Sequence, residues 1–362
     1  MKKKFFVLMI VWVFALNGIV ATTAAAQTGK MTNQTGRQLV SLLPASDGAM
    51  TLNMQRVLSE ALPQVLSGNQ PLLADVLGKI DEVKAKTGID LRQFEQIAVG
   101  ISYKKISNEA AARKIIFEPI FLARGTLDAN SLLTLLKSGS NGRYREEKIG
   151  GRTVYIMTAQ FKVAPNKTDK QRSMIHGAID GMFENLSEEI AATALNGNTL
   201  AVGSTARIRQ LLTTGTPRIG SDVLSLISRK PNAIMSFGLK LPEGLSSFVN
   251  LGDDELGKNL DAIRFMAGAA DVVDGNATVS ILARTSGAEQ AKSLQQQVEG
   301  FQQLGKMFIG SKKGTDSQVY ARMIDNVKIA RAASDVTLDL QIPQSDINIL
   351  LNKNNAGASA AK

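Results

Sequence analysis

His176 is the only histidine in this chain of 362 residues, and there is no cysteine. Any Ser-His-Asp arrangement must use that one imidazole, and thiol nucleophiles and cysteine metal ligands are excluded. Ser173 lies three residues before it, on the same face of a helix expected from about Gln171 to Asn185. No Gly-x-Ser-x-Gly turn is present to expose a nucleophile. A single histidine also rules out His-Glu-x-x-His and multi-histidine metal centres.

The remaining reactive patterns resolve into structural ones. Ser102-Tyr103-Lys104-Lys105, Ser67-Gly68-Asn69 and Lys86-Thr87-Gly88 match the three motifs of serine β-lactamases in type. Their order is reversed, and Ser102 ends an expected strand where that chemistry needs serine at the start of a buried helix. Asp253-Asp254-Glu255 precedes a helical run, where carboxylates satisfy free N–H groups. Asp271, Asp274 and Asn276 surround Gly275 without the oxygen ladder and terminal glutamate of a calcium loop. Gly305 and Gly310 have P-loop spacing, but Ser311 stands where the lysine should be. No catalytic, cofactor-binding or metal-binding residue is expected. The sole Trp, Trp12, lies near the N-terminus, so a sugar-stacking platform has little to build on.

Charge gives the one binding signal. The formal net charge is +10, of which Lys2, Lys3 and Lys4 carry three. Residues 111–175 hold 12 Lys or Arg against 5 Asp or Glu. A local basic surface attracts anionic partners. Its candidate residues are Arg143, Arg145, Lys148 and Arg152, which flank Gly150-Gly151. The expected partner is an envelope component: protein, lipid or acidic polymer. No nucleic acid is expected, and membrane contact is expected to be peripheral only.

These cations sit on the clearest local signal in the chain. Tyr144 to Ile149 and Arg152 to Met157 are strand-like runs joined by Gly-Gly, a tight hairpin that needs positive φ. Similar hairpins are expected about Asn196-Gly197-Asn198, Asp274-Gly275 and Asp325-Asn326. Strands are expected at Ala49–Met54, Ile97–Tyr103, Ile115–Arg124 and Ala233–Leu239. Helical spacing runs through Val57–Leu66 and Leu72–Val83, with Gly88 placed to end the latter. Asp128 caps a short helix, and Ala291, Leu294, Val298, Phe301 and Phe308 mark a long helix packed on sheet. The fold class is therefore α+β: two related halves of antiparallel sheet packed with helices.

The N-terminus has a basic start, an apolar run from Phe5 to Leu16, and Ala24-Ala25-Ala26 before Gln27. That order is a secretory signal peptide, cleaved near Ala26. A flexible leader is expected over 27–41, a first half over 42–216 with an insertion at about 162–189, a second half over 217–351, and a disordered tail over 352–362. Strand, helix, strands, helix and hairpin occur twice in order, with Leu122-Ala123-Arg124 and Leu282-Ala283-Arg284 before a helix each time. Ile97-Ala98-Val99-Gly100 likewise parallels Phe265-Met266-Ala267-Gly268.

On Leu42-Leu43-Pro44-Ala45-Ser46-Asp47, Thr87-Gly88-Ile89-Asp90-Leu91 and the stretch from Leu195 to Gly203, the chain resembles exported bacterial proteins of unknown function with duplicated α+β halves. The resemblance implies export and no activity. The expected function is a non-catalytic exported protein, periplasmic or extracellular, that binds a partner or ligand. Two alternatives are a carrier of lipid or another apolar ligand between the halves, and a hydrolase using two facing carboxylates.

Overall fold

The structure, a computed structural model, describes residues 38–108, 111–140, 142–158, 189–248, 254–310 and 314–359. In chain order, β1 (Gly48–Asn53) leads into α1, which runs from Met54–Arg56 through a π-helical turn at Val57–Ala61 to Leu62–Val65. Pro63 has no N–H, and the turn before it widens so that the Leu62 N–H reaches the Val57 carbonyl. Then come α2 (Gln70–Thr87), β2 (Phe94–Asn108), β3 (Ala111–Gly125), α3 (Ala129–Gly139), β4 (Tyr144–Ile149), β5 (Arg152–Thr158), β6 (Glu189–Asn196), β7 (Thr199–Ser204) and α4 (Thr205–Leu212). The remainder is α5 (Ser221–Ile227), β8 (Met235–Lys240), α6 (Asp254–Ala262), β9 (Ile263–Val273), β10 (Asn276–Thr285), α7 (Ala288–Gly310), α8 (Thr315–Asn326), β11 (Lys328–Ala332), β12 (Asp335–Ile342) and α9 (Gln344–Ser359). The fold is α+β with antiparallel strands.

The described residues form two compact units: 38–47 with 79–220, and 48–78 with 221–359. Residues 48–78 join the second unit, apart from the 42–47 segment that precedes them. The reason is non-local: β1 pairs with β8 from Gly48↔Leu239 to Leu52↔Met235.

In the first unit the strand order is β2-β3-β7-β6-β5-β4. α3 covers one face, where Leu132 and Leu133 pack on Met157, Ala192 and Leu200. α4 covers the other, burying Ile208 and Leu211. In the second unit the order is β1-β8-β9-β10-β12-β11. α7 places Ala291 and Leu294 on Ala283 and Val336, while α5 sets Leu226 against Ala267 and Leu282 on the opposite face. Burying each such large apolar side chain contributes about 1.5–3 kcal/mol.

The two units share a register. Leu122, Ala123 and Arg124 of β3 face Ala201, Leu200 and Thr199 of β7. Leu282, Ala283 and Arg284 of β10 face Thr337, Val336 and Asp335 of β12. In each case the arginine reaches the first residue of the next strand, Thr199 Oγ1 at 3.3 Å or Asp335 Oδ1 at 2.7 Å. On the preceding strand, Ala98 lies opposite Leu122 and Ala267 opposite Leu282. The sequence parallel between the Ile97 and Phe265 stretches is thus shifted by one residue.

Local chemistry explains most boundaries. Gly88 takes φ 73° and donates its N–H to the Lys84 carbonyl at 2.8 Å, ending α2. Asp128 accepts the Asn130 N–H at 3.1 Å, starting α3. Gly150 and Gly151 at φ 55° and 76° make the expected two-residue turn, and Asp274 and Gly275 at 50° and 76° make another.

Some expectations fail. The Asp325-Asn326 turn is instead the end of α8, whose buried Val319 and Met323 are spaced for a helix. The hairpin turn lies later, at Ala333-Ser334 between β11 and β12. Leu39 and Val40, inside the expected leader, are fully buried. Residues 352–359, expected as a frayed tail, continue α9. The expected insertion helix, with Ser173 and His176, lies outside the described residues, as does the N-terminal signal. No helix among the described residues is long and apolar enough to cross a membrane.

Candidate functional site

The Gly150 hairpin forms the outer edge of the first unit. Strand alternation puts Arg145, Glu147 and Ile149 on the α4 face and Tyr144, Glu146 and Lys148 on the α3 face. Arg143, Arg145, Lys148 and Arg152 are all exposed. The four cations are therefore close in sequence but divided between the two faces, since Arg152 pairs with Ile149 and Lys148 with Thr153.

Their partners differ as well. Arg145 grips the Glu189 carboxylate with both terminal nitrogens, and this guanidinium holds the carboxyl below its ordinary range. Arg152 donates to the Ala194 carbonyl at 3.3 Å. The hairpin's own carboxylates are already matched from the helices. Lys137 of α3 pairs with Glu146 at 3.1 Å, and Arg209 of α4 pairs with Glu147. Lys137 also stands over the rings of Tyr144 and Tyr155, 5.0 and 4.5 Å from their centroids. Lys148 has no ion-pair or hydrogen-bond partner among the described residues, so its charge faces solvent. The turn itself is fixed by Gly150, where a Cβ would strike the Leu212 carbonyl at the end of α4.

A second polar cluster lies inside the first unit. Arg207 is only 2% exposed. It donates to the Ala45 carbonyl at 2.8 Å, Gln210 Oε1 at 2.7 Å and Ser46 Oγ at 2.6 Å, all neutral acceptors. Burial lowers its pKa, and the charges of Glu118 and Asp47 partly offset that. The Ser46 hydroxyl donates in turn to the Pro44 carbonyl at 2.8 Å. A carbonyl cannot take a proton from a nucleophile, so this array holds backbone. It pins 42–47, together with the Pro44–Arg218 bridge and Arg218's bond to the Leu42 carbonyl at 3.0 Å. Sequence reasoning missed Arg207. The usable signal was its four-residue spacing from buried Leu211, which puts it on the inward face of α4.

In the second unit a depression of about 280 Å³ is lined by Lys230, Asn232, Asp271, Thr278 and Ser280. Arg56 holds Asp271 at 3.1 Å, and the Thr278 hydroxyl donates to the Asp271 carbonyl at 3.4 Å. Much of its polar lining thus bonds to the protein itself. The end of α7 exposes Leu304, Met307 and Phe308, so Phe308 departs from the inward face expected for it. Ser102, from the β-lactamase-like triplet, sits in β2 and donates to the Ala45 carbonyl at 3.4 Å. Thr87 donates to the Val83 carbonyl at 2.7 Å. Among the described residues, no three acidic or histidine side chains gather closely enough to hold a metal ion.

The fold and these sites define an α+β protein of antiparallel sheet carrying a basic edge hairpin. No protein-family model matches the chain, and no curated protein sequence matches it. Among solved structures it is similar to crystal forms of TP0453. Form IV aligns at 10% identity with a TM-score of 0.43, covering 90% of this chain and 99% of that one. Form III aligns at 9% and 0.42, covering 87% and 97%, and form I at 8% and 0.38, covering 87% and 96%. At that similarity the likeness assigns neither a family nor an activity.

Proposed function

We propose that this is a non-catalytic protein of the cell envelope, exported by its N-terminal signal and released near Ala26, that binds an anionic partner through the Gly150 hairpin. The observation that carries the reading is electrostatic. The hairpin presents four exposed cations, while Glu146 and Glu147 are neutralised by Lys137 and Arg209 from the flanking helices. Among the described residues, Arg145 pairs with Glu189, and Lys148 has no ion-pair partner. The hairpin's exposed position favours association over catalysis, which needs enclosed, preorganised groups.

The two units are proposed to descend from one duplicated strand–helix–hairpin module, supported by the shared Leu-Ala-Arg register and the matching order β2-β3-β7-β6 and β9-β10-β12-β11. On that view β4 and β5 are an addition to the first unit, and binding belongs to the addition.

The test is to reverse all four charges, Arg143→Glu, Arg145→Glu, Lys148→Glu and Arg152→Glu, and measure binding to anionic vesicles and to polyaspartate at low salt. Binding should fall at least about tenfold and should weaken with ionic strength in the parent protein. Unchanged binding would overturn the basic-surface reading.

A further inference from the structure

We infer that the partner is an extended acidic segment of another protein, which docks by adding a strand to the free edge of β4. This rests on the proposed anionic-partner reading and goes further in naming the partner's chemistry and its mode of attachment.

The hairpin geometry makes the edge available. Ile149 and Arg152 flank a two-residue turn and face one another, so they form the hydrogen-bonded pair that closes it. Alternation then makes Glu147↔Val154 and Arg145↔Ile156 the other inward-bonding pairs. The backbone N–H and C=O groups of Tyr144, Glu146 and Lys148 point the other way. β4 is the last strand in the first unit's order, so no described strand lies on that side. An edge of this kind is a template for one more strand.

Charge selects what can use it. Edge strands are commonly guarded by charged side chains, which turn away a like edge. Here the guard is one-sided, because Glu146 and Glu147 are drawn back to Lys137 and Arg209. Lys148, with no described partner, and exposed Arg143 border the edge. An incoming strand with carboxylates on alternate residues would set them on one face, where they meet Lys148 across the pair. A neutral or basic strand would not. An acidic polymer without a peptide backbone can satisfy the charges but not the ladder, and that difference makes the inference testable.

The variant Glu146→Pro removes an outward N–H and a negative charge together, and leaves the inward ladder of Arg145, Glu147 and Ile149 intact. Proline is tolerated at such a position on an edge strand. Glu146→Gln is its control. The probe is a short capped peptide alternating Glu and Thr, with polyaspartate and anionic vesicles as comparators, and hydrogen exchange is followed on the parent protein. Strand addition predicts that the parent and Glu146→Gln bind the peptide and that Glu146→Pro binds it about tenfold more weakly. It also predicts slowed exchange at the amides of Tyr144, Glu146 and Lys148. If charge alone governs, Glu146→Pro will bind as well as Glu146→Gln and those amides will not slow, which overturns strand addition and leaves the anionic-partner reading standing. Binding of vesicles but not of the peptide overturns the partner class. Binding of none of the three overturns both readings.

Discussion

The first unit has a hairpin that the second lacks. Both contain a long antiparallel hairpin, then a helix over one face, then a second hairpin whose later strand pairs with the first hairpin. In the second unit the sheet stops there, at β11. In the first it continues through β5 to β4, and the added strands hold the candidate cations. The shared part is built on buried side chains such as Leu122 and Leu282, whereas β4 buries only Ile149. A scaffold explains its stability by its core, and an appended strand that buries so little is better explained by what it meets.

That equivalence can be broken experimentally. The largest effect should come from the matched leucines. Leu122→Ala and Leu282→Ala each empty a fully buried site and should each cost about 2–5 kcal/mol in denaturant unfolding. If only one is costly, the two registers do not do equivalent work.

A smaller effect should separate the matched arginines. Arg284 pairs with Asp335 at 2.7 Å and holds that carboxyl below its ordinary range, chiefly through the hydrogen bond. Arg124 meets a neutral hydroxyl instead. Because the folded pKa of Asp335 is depressed, the pair's contribution is present above the unfolded value near 3.9 and is lost as pH falls through the folded value. Arg284→Met should therefore cost about 1 kcal/mol at neutral pH, a low figure because the guanidinium is partly exposed, and the cost should shrink in acid. Arg124→Met should show no such pH dependence, measured by thermal unfolding across pH 2–7.

The smallest effect concerns the turns. Ala333 is held at φ 51° between β11 and β12, whereas the hairpin that the second unit lacks turns on Gly150 and Gly151. Ala333→Gly relieves that strain and should stabilise by up to about 1 kcal/mol, against which the flexibility of glycine in the unfolded chain works. Gly151→Ala should do the reverse. Both are read from shifts in the unfolding midpoint.

What could be read from sequence was what neighbours in sequence decide. Gly150-Gly151, Asp274-Gly275, Asp128 and Gly88 each act within a few residues, and each was placed. The hairpin at Asp325-Asn326 was misread because Val319, Ile324 and Val327 suit a strand as well as a helix, and only the burial of Val319 with Met323 separates the two. The assignment of 48–78 to the second unit rests on pairing across almost two hundred residues, which no local pattern carries. For the candidate site, the residue types were legible but their sides were not. Arg145 and Lys148 part company only once the register of β4 is known, and Arg207 reads as an ordinary surface arginine until its three neutral acceptors are seen.

The interleaving of the units has a consequence for the order in which the protein can be made. Residues 42–47 take part of their anchoring from Arg207 and Arg218, and within its own unit β1 pairs with β8, Met235–Lys240. Neither unit can be completed from the N-terminus alone. A growing chain leaves both units unfinished until well over half its length has appeared, because β1, its earliest strand, still awaits β8.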